Sequence, residues 1–146
     1  MVFKSPRYTL DASVFVNAFN PHEQGRAESL QLLAAIQERG DPVIVPTLLV
    51  PEIASAVARA SDDSAGALQY ANATASLPQL TLVTLTPAIA RQAAELAATH
   101  RLRGADAIYL AVARRYGTTL VSRDEEQRTR GSVAATCQTP EEALAG

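Results

Sequence analysis
Apolar positions in this chain fall into short continuous runs separated by longer stretches of helical periodicity. The first run, Tyr8-Thr9-Leu10, stops at a carboxylate, Asp11, and small residues lead from there into Val14–Val16. That pattern predicts a strand ending at Asp11 and a short helix over Val14–Phe19, ended by Asn20-Pro21. From His22 to Arg39, Ala27, Leu30, Leu33, Ala34 and Gln37 recur at three- and four-residue spacings, which predicts a helix stopped by Gly40. Val43-Ile44-Val45 follows the Asp41-Pro42 turn as a buried strand. The next helix covers Thr47–Ala60, starting at a Thr47 cap or nearer Pro51, where a missing N–H costs little. Either start puts Glu52 in or near its first turn.

Ser61–Ser64 is polar and reads as a loop, Ala65–Leu77 as an alanine-rich helix closed by Pro78, and the alternating Leu80–Leu85 as a strand. Thr86-Pro87 is a cap followed by proline and opens a helix through Ala98. Arg101–Gly104 is a basic loop, Asp106–Arg115 a strongly apolar helix ended by Gly117, and Thr118–Val121 a strand running into Ser122-Arg123-Asp124. Glu125–Arg130 suggests a helical turn, Val133–Thr136 a last short strand and Pro140–Leu144 a terminal helix. Strands alternating with helices predict a three-layer α/β/α domain whose mainly parallel sheet has four to five strands. With no repeat, linker or low-complexity tract, residues 1–146 are expected to form one domain.

Composition narrows the function classes. Nearly half the residues are apolar and charge is moderate, which excludes a disordered chain. The formal net charge is -2, so any contact with nucleic acid must come from a local patch. The one cysteine, Cys137, has no partner for a disulfide or a zinc site and reads as a small semi-buried residue; a cytoplasmic location is expected. The opening MVFKSPRYTL has no apolar run long enough for a signal peptide. The longest apolar stretch, Val43–Val50, is broken by Pro46 and too short to span a bilayer, so no membrane association is expected.

Four carboxylates fall where strands end and helices begin: Asp11, Glu52, Asp106 and Asp124. In a parallel sheet these positions face one end of the molecule, where ligands bind. Each alone has an ordinary explanation as a cap or a first-turn acid. Together they would repel unless a cation sat among them. An all-oxygen cluster without thiolates suits Mg²⁺ or Mn²⁺, ions that keep waters and bind substrate phosphate. That points to phosphoryl chemistry.

On these residues the chain resembles the PIN-domain ribonucleases and, within them, the VapC toxins of toxin–antitoxin pairs. The resemblance runs through LDASVFVN, PEIASAV, RGADAIYLAVARRYGTTLVSRD and the TPEEAL tail. It implies a PIN-like fold and a metal-dependent endoribonuclease that leaves 5′-phosphate and 3′-hydroxyl ends. It makes Asp11, Glu52, Asp106 and Asp124 the catalytic, metal-binding quartet with Mg²⁺ or Mn²⁺, and Ser13 and Ser122 supporting hydroxyls. The hydroxyls read equally well as turn and cap residues. It further implies RNA as substrate, a small antitoxin as partner and a homodimer. The chain departs from the family in two places. Glu125-Glu126-Gln127-Arg128 stands where an aromatic often follows the last aspartate, and Pro51 sits beside Glu52.

Seven of the thirteen basic residues lie after residue 100, and Arg101, Arg103 and Arg123 stand nearest the acids as candidate RNA contacts. The rival reading is a catalytically weak PIN-like module that acts by binding RNA or protein. A haloacid-dehalogenase-type phosphatase would want a second Asp where Ser13 stands, and a dinucleotide enzyme would want Gly-x-Gly-x-x-Gly after the first strand.

Overall fold
The computed structural model describes residues 6–146. The opening residues 1–5, and with them half of the stretch read against a signal peptide, lie outside the described residues. The elements follow in the order β1 (Tyr8–Leu10), α1 (Ala12–Phe19), α2 (Arg26–Arg39), β2 (Val43–Pro46), α3 (Leu49–Ser61), α4 (Ser64–Ala75), β3 (Leu80–Val83), α5 (Pro87–His100), α6 (Gly104–Tyr116), β4 (Thr119–Val121), α7 (Glu125–Gly131), β5 (Cys137–Gln138) and α8 (Pro140–Ala145). No helix among the described residues is long and apolar enough to cross a membrane.

The strands form one all-parallel sheet in the order β3-β2-β1-β4-β5. β1 is central, and each of its residues is buried because helices cover both faces. The α2 and α4 helices lie over Leu10, Val43 and Leu80, and α6 packs against β1, β2 and β4. The expected α/β/α architecture is thus the observed one. From β1 the chain steps outward to β2 and β3, then crosses back to β4 on the other side. The order reverses between β1 and β4, and the crevice outside such a reversal is where open α/β sheets bind ligands.

The α6 helix explains itself locally. Asp106 in its first turn and Arg114 and Arg115 in its last both suit the helix dipole, and Gly117 at φ 63° closes it. Its Leu110 and Val112 are fully buried, each contributing roughly 1.5–3 kcal/mol of apolar burial. α3 begins at Leu49, so Pro51 falls in the first turn, where it removes no intrahelical bond. Thr47 is not the cap; its N–H donates to the Val83 carbonyl at 2.9 Å and so extends the sheet.

The last strand differs from the expected one. Val133–Thr136 is a turn, with the Ala134 and Ala135 N–H groups donating to the Gly131 carbonyl, and Val133 is exposed. The strand is Cys137–Gln138, in register with Leu120 and Val121. The β-branched residues suggested pairing, but α7 needs those residues to turn back before the chain reaches the sheet edge. Cys137 is half-buried and its thiol is pushed up to about 11 by burial. α2 starts at Arg26, later than the pattern suggested, after Gly25 at φ 83°.

Candidate active site
Asp11 leaves β1 and caps α1, and its Oδ2 accepts the Ser13 N–H at 2.9 Å. Its own N–H donates to the Val121 carbonyl at 3.0 Å, which fixes it against the end of β4. The side chain is buried, and desolvation pushes its carboxyl above the ordinary carboxylate range, with the Asp124 charge adding to the push. Asp124 follows β4 and caps α7, its Oδ1 accepting the Gln127 N–H at 2.8 Å.

Asp106, half-buried at the start of α6, is pushed up to about 6. Desolvation is the largest cause; the charges of Asp11, Asp124 and Glu52 add to it and Arg103 opposes it. Glu52, in the first turn of α3, is likewise raised by desolvation and by Asp11. Its Oε1 accepts the Tyr109 hydroxyl proton at 2.7 Å. Tyr109 is fully buried on α6, so a core residue holds this carboxylate from below.

Asp106 therefore lies within electrostatic reach of the other three carboxylates, and Asp11 within reach of Glu52 and Asp124. Among the described residues, no three of them stand close enough to form a ready-made cation cage. The donor chemistry nonetheless fits a hard divalent ion: oxygen ligands, negative charges that raise one another's affinity for protons, and Arg103 easing Asp106. Asp11, Ser13 and Glu52 line a crevice of about 430 Å³ with Ser55 and Arg59 of α3.

The hydroxyls do loop work. Ser122 is buried and its Oγ accepts the Asp124 N–H at 3.0 Å, while the Ser13 Oγ accepts the Arg123 N–H at 2.9 Å. The two Oγ atoms are 3.4 Å apart, tying the ends of β1 and β4 together.

The three candidate RNA-binding arginines separate. Arg103 caps α6 near Asp106 and is exposed. Arg101 ends α5 in the left-handed region at φ 55°, its carbonyl accepting from Arg130. Arg123 is engaged by other partners: its guanidinium donates to the Gly25 carbonyl, to the Ser29 Oγ and to Glu141 Oε1 at 2.6 Å. Arg59 escaped the sequence reading, although it lies seven residues after Glu52 and so on the same helix face. Gln127 escaped too. It is fully buried, with Nε2 3.3 Å from both Asp11 Oδ1 and the Asp106 carbonyl. Glu125 and Glu126 are exposed, and Glu126 pairs with Arg130 at 2.5 Å.

A family model described as PIN domain matches residues 8–131. No curated protein matches the chain in sequence. Among solved structures, the chain is similar to Mycobacterium tuberculosis VapC20, described as a sarcin-ricin loop cleaving toxin. That pair has a TM-score of 0.72 and 19% identity over 86% of this chain and 95% of that one. VapBC2 of Rickettsia felis, bound to a promoter DNA fragment, gives 0.69 and 14% over 91% and 98%. A toxin–antitoxin complex from Klebsiella pneumoniae gives 0.64 and 21% over 93% and 98%.

Proposed function
We propose, from the premise that the chain belongs to the PIN-domain family, that it is a divalent-metal-dependent endoribonuclease and the toxin of a toxin–antitoxin pair. The observation that carries this reading is the gathering of Asp11, Glu52 and Asp106, each raised chiefly by burial, with Asp124 beside the β1–β4 reversal, where Asp11 is nearly engulfed. The toxins among the structural neighbours support the biological setting.

Asp11, Asp106 and Asp124 would hold Mg²⁺ or Mn²⁺, with Glu52 completing the set. Such an ion supplies positive charge against the phosphoryl oxygens and makes water acidic enough to attack phosphorus near neutral pH. The chain's own residues do the rest. The Ser13 N–H and the Gln127 amide keep the Asp11 carboxylate in one orientation. Tyr109 occupies one oxygen of Glu52 and leaves the other to align the attacking water. Arg59, on the crevice wall, holds a phosphate flanking the scissile one. Water attacks phosphorus in line, the bond to the 3′-oxygen breaks, and the products carry 5′-phosphate and 3′-hydroxyl ends. A small antitoxin would silence the enzyme by inserting a segment with a basic residue into the crevice. The protein would act in the cytoplasm as a homodimer.

The test is cleavage of structured RNAs, tRNAs included, by purified protein in Mg²⁺, Mn²⁺ or EDTA, alongside Asp11→Asn. Cleavage should vanish in EDTA and fall at least about a thousandfold in the variant, the equivalent of roughly 4 kcal/mol of barrier. Metal-independent cleavage, or equal activity in the variant, overturns the mechanism. Binding of RNA with no cleavage would favour the binding-module reading.

A further inference from the structure
Gln127 is the one fully buried side chain in a helix whose sequence, EEQRTRG, is otherwise polar or small. Its amide is served unevenly. Nε2 faces two acceptors, the Asp11 Oδ1 and the Asp106 carbonyl, both at 3.3 Å. The reverse orientation would set oxygen against oxygen twice, so the nitrogen belongs on that side. Oε1 is then left buried without a donor. An apolar side chain of the same size would fill the space without that penalty. What it could not do is join the carboxylate after β1 to the start of α6. The backbone N–H of the same residue donates to Asp124 Oδ1 at 2.8 Å. One residue thus touches the Asp11 and Asp124 side chains and the main chain of Asp106, elements far apart in sequence.

We infer that Gln127 is a positioning residue: its side-chain amide sets the orientation of Asp11 against the start of α6 at Asp106 for a divalent cation. This role rests on the crevice's being a cation site. Each oxygen of Asp11 then has one donor, Gln127 on Oδ1 and Ser13 on Oδ2, and keeps its other lone pair for an ion. Partners behind a metal ligand fix its direction in this way, and losing one commonly costs about 10- to 100-fold in metal affinity.

The experiment titrates Mn²⁺ calorimetrically into the full-length protein and into Gln127→Met and Gln127→Asn. The first variant keeps the volume and removes the amide; the second keeps the amide and shortens its reach. Thermal unfolding and the kcat and KM of RNA cleavage are measured on the same samples. Both variants should bind Mn²⁺ about 10- to 100-fold more weakly, with the loss in kcat at fixed Mn²⁺ and KM for RNA unchanged. Gln127→Met should unfold at a Tm no lower than the wild type's. If the wild type binds Mn²⁺ and the folded variants bind it equally well, Gln127 only fills space and the inference fails while the nuclease reading stands. If the wild type binds no Mn²⁺, both fall together. Should Gln127→Met not fold, Gln127→Asn decides by the same two results.

Discussion
Arg123 and Asp124 are neighbours in the chain and opposites in the molecule. The Arg123 guanidinium is fully answered: a carbonyl, a hydroxyl and the Glu141 carboxylate surround it. The Glu141 carboxyl is held below its usual range chiefly by its hydrogen bond to Arg123, despite an opposing desolvation. Gly25 at φ 83° makes the fit possible, since a Cβ there would lie 2.7 Å from the guanidinium carbon. On the Asp124 side, burial strips the carboxylates of water and like charges add to the effect, so the carboxyls of Asp11, Glu52 and Asp106 are all pushed upward. Compensated charge marks what the fold needs to stand. Uncompensated charge, which costs stability, is what the proposed cation would neutralise.

The contrast can be broken in graded steps. The largest effect is expected for Asp11→Asn, which should lose cleavage and yet raise the Tm of the metal-free protein, because a buried, like-charge-facing carboxylate becomes neutral. A lowered Tm in differential scanning calorimetry would contradict this. Next comes Arg123→Ala. It strips several partners at once and should cost about 2 kcal/mol, or roughly 6 °C in Tm, with Mn²⁺ affinity unchanged. Reduced Mn²⁺ affinity at unaltered Tm would place Arg123 in the site instead.

A smaller effect is expected from pH. Asp106 titrates near 6 when folded and near its ordinary 3.8 when unfolded. The folded state therefore holds more protons between about pH 4 and 6, and this group's contribution to metal-free stability falls as pH rises through that window. Saturating Mn²⁺ should reverse the slope, and Asp106→Asn should flatten it; urea midpoints across the range read both. The smallest effect belongs to Arg59→Ala. It should weaken RNA binding a few-fold and lower the salt slope by about one, with Mn²⁺ affinity intact.

Legibility from sequence followed the length of the signal. Long periodic segments such as α5 and α6 declared themselves; Asp11 and Asp124 stood out as acids just past a strand, and Glu52 and Asp106 as acids in the first turn of a helix. The two-residue β5 was hidden because its pairing is set by β4, and Val133–Thr136 carried the better strand composition. Gln127 was hidden because seven residues give periodicity too few turns to expose a buried face. The role of Arg123 depends on Ser29 and Glu141, contacts from both sides of the chain that only tertiary structure supplies.

Asp11 and Asp124 are both helix caps, a duty that Asn performs about as well as Asp. A single-base change in either codon therefore removes a carboxylate and leaves the helix start intact. If these two carboxylates hold the cation as proposed, one such step removes the activity and leaves a folded scaffold behind.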